Sequence, residues 1–76
     1  KLGLTVEQYY ALGNEQGWAC AICAANLDEY NAPVDHDHST GKVRGLLCGR
    51  CNVAIGMMLD DPTTAESAAR YLRSHR

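Results

Sequence analysis

Two pairs of cysteines constrain the fold of this 76-residue chain more than any other feature. The pairs are Cys20/Cys23 and Cys48/Cys51, and 24 residues separate one pair from the other. C-x-x-C spacing lets a tight turn direct both sulfurs at one tetrahedral ion, so two such pairs supply a complete structural zinc site. The separation slightly exceeds the usual ~15–20 residues, and a hairpin between the pairs would explain the excess.

Four cysteines could also form disulfides, or they could share a metal site with histidines. Four cysteines in a small secreted chain would suggest two disulfides, but the sequence has no basic and apolar leader and no stretch near the ~20 apolar residues of a membrane span. We therefore expect an intracellular protein without a membrane partner, whose thiolates bind metal. The three histidines also allow a site of two cysteines and two histidines, although four cysteines need no further ligand.

Length and composition predict a single small domain over residues 1–76. The chain has no Phe and one Trp, so a thin aliphatic core should form around Trp18 and depend on the metal for stability. The net charge of -2 gives no general attraction to nucleic acid. Cationic residues nevertheless form two local groups, which are Lys42, Arg44 and Arg50, and Arg70, Arg73 and Arg76.

Helix signals lie on both sides of the cysteine region. Thr5 and Gln8 have the spacing of a capping box, which predicts a helix from Val6 to about Gln16 that ends at Gly17. A second capping box at Thr63-Thr64-Ala65-Glu66 predicts a final helix through about Ser74. The packing face predicted for this final helix consists of Ala65, Ala68, Ala69 and Leu72.

The region between these helices should contain a loop, a hairpin and a further helix. Residues 24–33 are polar and predict a surface loop, and strands at Val34 to His38 and Val43 to Leu47 flank the turn residues 39–42. After the second cysteine pair, the spacing of Asn52, Ile55, Gly56 and Leu59 is that of one helix face, with Asn52 in the first turn. Asp60-Asp61-Pro62 should end this helix.

The run Asp35-His36-Asp37-His38 and the residue Asn52 carry the candidate chemistry. A carboxylate beside an imidazole, with an amide oxygen from a following helix, suits metal-assisted hydrolysis of a phosphodiester. Oxygen ligands favour Mg²⁺ or Mn²⁺, which stabilise charge on the phosphoryl group and the departing oxygen. Histidine, with an ordinary pKa of about 6.5, can accept a proton from the attacking water near neutral pH.

In these motifs the sequence resembles the phage recombination endonuclease VII family of HNH, or His-Me finger, nucleases. The resemblance covers roughly residues 18–59. It is carried by Cys20-x-x-Cys23, Asp35-His36-Asp37-His38-x-Thr40-Gly41, Val43-Arg44-Gly45-Leu46-Leu47-Cys48 and Cys51-Asn52.

The resemblance implies a small zinc-stabilised α+β fold, with a ββα-metal core, a four-cysteine zinc site and flanking N- and C-terminal helices. It further implies that Asp35 and Asn52 hold the catalytic Mg²⁺ or Mn²⁺, that His36 is the general base and that His38 contacts or orients the scissile phosphate. Strand alternation would place Asp35 and His36 on opposite faces. We therefore expect a bend or bulge near Asp35 that brings them together.

Simpler interpretations remain for these residues. Asp35 and His36 could be charged residues at a solvated hairpin edge, Asn52 could be a helix cap, and Asp37 is best explained by solvation or by a hydrogen bond that orients a neighbour. Arg44, Arg50 and Lys42 are candidates for contact with DNA phosphates, against an equally simple role in surface solvation. The stripe of Arg70, Arg73 and Arg76 is more typical of a solvated helix face.

The sequence therefore predicts a metal-dependent DNA endonuclease of the HNH type, which leaves a 3′-hydroxyl and a 5′-phosphate. The alternative is a noncatalytic zinc-stabilised module that binds nucleic acid or a protein. A homodimer, or a nuclease segment fused to a specificity domain, is compatible with either function. DNA is the expected partner, inside a bacterial host if the protein is of phage or bacterial origin.

Overall fold

Three helices and a two-stranded antiparallel sheet form a small α+β fold in the computed structural model, which describes residues 4–75. In chain order the elements are α1 (Val6–Gln16), β1 (Val34–His36), β2 (Val43–Leu46), α2 (Gly49–Met57) and α3 (Pro62–Ser74). The order and types of the elements agree with the sequence-based predictions. None of the helices within residues 4–75 is long and apolar enough to cross a membrane.

The bounds predicted for α1 are confirmed, because the capping interactions at its two ends are both formed. The Thr5 Oγ1 accepts a hydrogen bond from the Gln8 N–H at 3.0 Å, and the Gln8 Oε1 accepts one from the Thr5 N–H at 2.9 Å. Gly17 follows the helix in the left-handed conformation, with φ 64°. Glycine adopts this conformation without the steric penalty of a Cβ atom, so the helix ends there.

The prediction that the core surrounds Trp18 is wrong. Trp18 is half-buried and packs on the neighbouring rings of Tyr9 and Tyr10, with ring centroids 5.6 and 5.7 Å away. The apolar cluster among residues 4–75 instead lies at the cysteines and consists of Cys20, Leu47 and Cys51. Ala32 and Leu46 are also buried. The core is thin, as expected, and the cysteine cluster is part of it.

The hairpin contains the irregularity that the Asp-His run requires. Val34 pairs with Leu46 and Asp35 with Gly45, but His36 pairs with Val43, so Arg44 is the additional residue on β2. This confirms the expected bulge near Asp35 and assigns it to the opposite strand. A bulge increases local twist and changes the direction of side chains.

Both strands are shorter than predicted. β1 ends at His36 instead of His38, and β2 ends at Leu46 instead of Leu47. The side chain of Asp37 explains the early end of β1, because its Oδ1 accepts hydrogen bonds from the N–H groups of Ser39 and Thr40 at 2.7 and 3.1 Å. This local turn ends β1 after His36, with one more hydrogen bond across the hairpin from the Asp37 N–H to the Lys42 carbonyl at 2.8 Å.

The junction between α2 and α3 differs from the prediction. Leu59 lies beyond the end of α2, has φ 58° and is 85% exposed, so it does not continue the packing face of that helix. A capping box with Thr63 as the N-cap predicts Thr64 as the first residue of α3. The helix instead begins at Pro62, and Asp61 is its N-cap. Proline is favoured at the first helical position, since its fixed φ suits the helix and its missing N–H has no partner to lose there.

The packing face predicted for α3 is only partly covered. Ala68 and Ala69 are half-buried, whereas Ala65 and Leu72 are exposed. No residue of α3 within the described chain is fully buried. Arg76, which completes the predicted arginine stripe, lies outside the described residues.

Candidate functional site

The four cysteines form a cluster in which the sulfur atoms all lie within 4.8 Å of one another. The Sγ atoms of Cys23 and Cys48 are 3.7 Å apart. A tetrahedral zinc site with Zn–S bonds of ~2.3 Å has sulfur-sulfur distances of about 3.8 Å. All four thiols are free, so the disulfide alternative is not realised. The cluster could therefore hold zinc with cysteine ligands alone, without a histidine from residues 4–75.

Local backbone geometry directs these sulfurs towards one another. After Cys20 the chain closes a tight turn in which the Ala24 N–H donates to the Cys20 carbonyl at 2.9 Å, and Ala24 has φ 67°. The Ile22 N–H points at the Cys20 sulfur, 3.4 Å away. Cys48 is the N-cap of α2, and its sulfur accepts from the Cys51 N–H at 3.4 Å. Each C-x-x-C pair is thus fixed by its own turn.

The same contacts determine which thiols ionise most readily. Burial opposes the Cys20 thiolate, but backbone N–H donors from Cys23, Cys48 and Ile22 lower its pKa to about 6. The pKa of Cys48 is also lowered, chiefly by the Cys51 N–H. Burial and the adjacent sulfurs raise the pKa of Cys51 to about 12. Four neighbouring thiolates repel one another, and a divalent cation supplies the charge that offsets this repulsion.

Asp35 is the buried acidic residue of the hairpin, and Arg44 binds it directly. Its 9% exposed carboxylate accepts from Arg44 Nε at 2.7 Å and from Arg44 Nη2 at 3.0 Å. Hydrogen bonding to Asp35 raises the pKa of Arg44 above its ordinary value, so the guanidinium stays charged. The side chain of Arg44 is nevertheless 36% exposed. One of its faces therefore binds Asp35 while another remains accessible.

The two histidines of the run lie next to each other. Their rings meet edge to face, with centroids 5.2 Å apart. The Nδ1 of His36 is buried and has no hydrogen-bond partner among residues 4–75. His38 is largely exposed, and its Nδ1 lies 3.5 Å from the Oδ2 of Asp60. The two imidazoles therefore lie together beside the turn of the hairpin, and the Asp60 carboxylate next to His38 also contacts Arg44, the partner of Asp35.

These observations agree with a comparison against protein-family models. The model for recombination endonuclease VII matches residues 1–74. The chain belongs to the recombination endonuclease VII family. Membership in this family suggests a nuclease-type role.

Two curated phage proteins resemble this member of the endonuclease VII family over most of its length. The Gene 59 protein of Mycobacterium phage D29 is 47% identical over 73 residues, which are 93% of this chain and 44% of the phage protein. The Gene 59 protein of Mycobacterium phage L5 is 49% identical over 72 residues, or 92% of this chain and 44% of the phage protein. The chain thus spans less than half the length of these relatives.

Asn52, the amide implied by the resemblance to endonuclease VII, is the fourth residue of α2 and is half-buried. It is not the helix cap, because Cys48 has that position and accepts the Asn52 N–H at 3.0 Å through its carbonyl. The hydrogen bonds within residues 4–75 do not involve its side-chain amide, which leaves that oxygen available to a ligand.

The remaining candidates have different surroundings. Arg50 lies against the cysteine cluster, with Nη2 3.8 Å from the Cys23 sulfur. Lys42 is exposed beside the turn, and Asp37 forms the turn itself. The Asp37 pKa is lowered, first by the N–H groups of Ser39 and Thr40.

Sequence reasoning missed the role of Asp60, which was interpreted only as part of a helix stop. Its Oδ2 lies 3.3 Å from Arg44 Nη2 as well as near His38. A pocket of about 250 Å³ adjoins this contact, and its lining is mainly apolar. No helix or strand periodicity relates Asp60 to the hairpin residues in sequence. The contact therefore becomes visible only in the folded turn between α2 and α3.

Proposed function

We propose that this chain is a single HNH-type nuclease domain, with a ββα-metal core, that hydrolyses phosphodiester bonds in DNA. The observation that carries the proposal is a series of contacts in a member of the endonuclease VII family. It runs from the buried carboxylate of Asp35 through Arg44 and Asp60 to His38, whose ring packs against that of His36. The elements β1, β2 and α2 would form the ββα core. The four-cysteine site would fix the start of α2 relative to the hairpin.

His36 would be the general base. Its ring packs against that of His38, and its buried Nδ1 has no hydrogen-bond partner among residues 4–75. In the proposed reaction His36 takes a proton from water as the water oxygen bonds to phosphorus. The bond between phosphorus and the 3′ oxygen breaks, and that oxygen keeps the electron pair and takes a proton from solvent. The products are a 3′-hydroxyl and a 5′-phosphate.

Asp35 and Asn52 would hold Mg²⁺ or Mn²⁺. The chemistry of these ligands fits, because a carboxylate and an amide oxygen are hard ligands, and the amide of Asn52 is free of hydrogen bonds within residues 4–75. Arg44 uses one lone pair on each oxygen of Asp35, and each oxygen retains a second. When bound, such an ion stabilises charge on the phosphoryl group and the departing oxygen.

The other residues of the hairpin would position the DNA. His38 is 70% exposed and adjoins His36, which suits contact with the scissile phosphate. Lys42, Arg44 and Arg50 all present exposed cationic side chains and would contact phosphates on either side of it. Such contacts orient the duplex without reading its sequence.

The closed cysteine site would have no part in the reaction. Four thiolates complete the coordination of a structural zinc ion and leave no position for water. A homodimer, or a fusion to a specificity domain, is compatible with this proposal. The endonuclease VII family model supports action on DNA, and the phage origin of the relatives supports a bacterial host.

The alternative is a noncatalytic zinc-stabilised module that binds nucleic acid or a protein. The observation that favours it is the double hydrogen bond from Arg44 to Asp35, which uses the carboxylate proposed as a metal ligand. If this contact keeps Mg²⁺ from Asp35, the hairpin would bind DNA without cleaving it.

Nicking of supercoiled plasmid DNA tests the choice between these functions. Zinc-loaded protein is incubated with Mg²⁺ or Mn²⁺, and the control omits the added ion instead of using a strong chelator, which would also remove zinc. We expect ion-dependent nicking that His36→Ala abolishes and His75→Ala, at an exposed histidine far along the chain, preserves. Wild-type-like nicking by His36→Ala at equal zinc content would exclude the general-base assignment, and DNA binding without nicking would favour the alternative.

A further inference from the structure

Asp60 lies outside the hairpin and the cysteine motifs, yet its carboxylate contacts two residues of the hairpin. It follows α2 at the turn before α3, and its side chain is 20% exposed. The Oδ2 atom is 3.3 Å from Arg44 Nη2 and 3.5 Å from His38 Nδ1. One carboxylate oxygen therefore links a cationic residue of β2 with a histidine of the proposed active site.

The backbone around Asp60 is arranged to make this contact. Leu59 and Asp60 both have left-handed conformations, with φ 58° and 57°, and the Asp60 N–H donates to the Ile55 carbonyl at 2.9 Å. Residues with a Cβ atom adopt this conformation at a cost of about 1 kcal/mol or more each. The side chain of Leu59 gains little burial in return, since it is 85% exposed. The turn instead directs the Asp60 carboxylate back to the hairpin.

Arg44 is shared between two carboxylates. Its Nη2 donates to Asp35 Oδ1 at 3.0 Å and to Asp60 Oδ2 at 3.3 Å, while its Nε binds Asp35 alone. A cation bound by Asp35 would repel the guanidinium and weaken its contact with that carboxylate. Asp60 is then the acceptor that can retain Arg44 beside the site.

We propose that Asp60 is a positioning residue that holds Arg44 and His38 next to Asp35 when Asp35 engages a divalent cation. The inference rests on the proposed function. Without Asp60, Arg44 would move into solvent as the cation binds, and His38 would lose its only carboxylate contact within residues 4–75. Asp60 itself touches neither the cation nor the DNA in this proposal.

The test uses two substitutions that keep the turn. Asp60→Asn retains a residue that tolerates the left-handed conformation, and Asp60→Gly favours that conformation. Both remove the charge. The matched control is Asp61→Asn, which changes the adjacent carboxylate and preserves the N-cap of α3, because asparagine caps helices as well as aspartate does. Zinc content and helical circular dichroism establish that each variant is folded.

The first readout is the Nη–H resonance of Arg44 in zinc-loaded protein without DNA, because Nη2 is the atom that contacts Asp60. We expect Mg²⁺ titration to leave a protected resonance in the wild type and in Asp61→Asn. In Asp60→Asn and Asp60→Gly the same titration should broaden the resonance or accelerate its exchange with water. A protected resonance in all four proteins at saturating Mg²⁺ would overturn the proposal.

The second readout is plasmid nicking under single-turnover and steady-state conditions. The two Asp60 variants should lose ~10–100-fold in kcat, the usual effect of removing a residue that orients a metal ligand, with KM unchanged or lower. Removing a negative charge should by itself improve DNA binding, so lower kcat cannot arise from weaker association. An unchanged kcat would refute the positioning role.

These readouts separate two kinds of failure. If the wild-type protein does not nick DNA, the proposed function fails, whereas the Arg44 resonance is measured without cleavage and still tests the contact. If the wild type nicks DNA and Asp60→Gly nicks it equally well, the proposed function stands and Asp60 serves only the turn.

Discussion

Arg44 on β2 holds the buried carboxylate of Asp35 on β1 through two hydrogen bonds of 2.7 and 3.0 Å. This geometry depends on the bulge, in which Arg44 has no pairing partner on β1 while Gly45 lies opposite Asp35. The irregularity of the hairpin thus creates the charged part of the candidate site.

The first prediction concerns stability and uses Arg44→Ala. The substitution leaves a buried carboxylate without its main partner, which costs about 1–3 kcal/mol, and solvent access to the half-open site favours the lower part of this range. Urea unfolding of zinc-loaded protein measures the change. Lys42→Ala, at an exposed position two residues away, should stay within about 0.5 kcal/mol of wild type. Equal unfolding midpoints for the two variants would contradict the importance of the pair.

The second prediction concerns metal removal. The cysteines are part of the small core, so loss of zinc should unfold the chain and reduce helical circular dichroism. One zinc ion per chain should be found by elemental analysis, and Co²⁺ should replace it with the spectrum of a tetrahedral thiolate site. Cys51→Ser should bind zinc more weakly than Ser39→Ala, which changes a turn residue remote from the cluster. Full helicity after zinc removal would contradict this prediction.

Local chemistry explains which helix bounds could be predicted. Thr5, Gln8 and Gly17 act within one or two turns of α1, so their pattern specifies both ends. At α3 two caps compete, and the Asp61-Pro62 pair takes precedence over Thr63 because proline starts the helix one residue after Asp61. The pattern of Thr63 and Glu66 alone does not indicate which cap forms.

The candidate site was only partly predictable for a different reason. Sequence spacing indicates the cysteine cluster, and the conflict between strand alternation and chemistry indicates a bulge near Asp35. The contacts of Asp60 and Arg44 depend instead on two consecutive left-handed residues, which neither leucine nor aspartate signals in sequence. Long-range contacts made by irregular turns can therefore be identified only from the three-dimensional structure.

The third prediction compares two helical glycines. A Cβ atom at Gly13 would lie 2.2 Å from the ring of Trp18, whereas one at Gly56 meets nothing within 4 Å. Gly13→Ala should therefore destabilise the fold by about 1–3 kcal/mol through overpacking. Gly56→Ala should stabilise it by about 0.5–1 kcal/mol, because alanine loses less backbone entropy in a helix. Denaturant unfolding of both variants checks that their free energies of unfolding change in opposite directions. Stabilisation by Gly13→Ala would show that the Trp18 ring can shift without loss of stability.

The fourth prediction concerns Gln16, which connects α1 to the hairpin. Its Nε2 donates to the carbonyls of Ala19 and Leu46 at 2.8 and 3.0 Å, and its Oε1 accepts from the Leu46 N–H at 2.9 Å. Leu46 is fully buried, so Gln16→Ala would leave its N–H without a partner. An unsatisfied buried donor costs about 1–3 kcal/mol.

Glu15→Ala is the matched control for Gln16→Ala, since it truncates the preceding, exposed residue of the same helix. It should change the free energy of unfolding by no more than about 0.5 kcal/mol. Hydrogen exchange adds a local readout, because the Leu46 amide should lose protection in Gln16→Ala and keep it in Glu15→Ala. Protection of Leu46 in both variants would mean that water or another group replaces the Gln16 oxygen, and that α1 does not hold the hairpin through this contact.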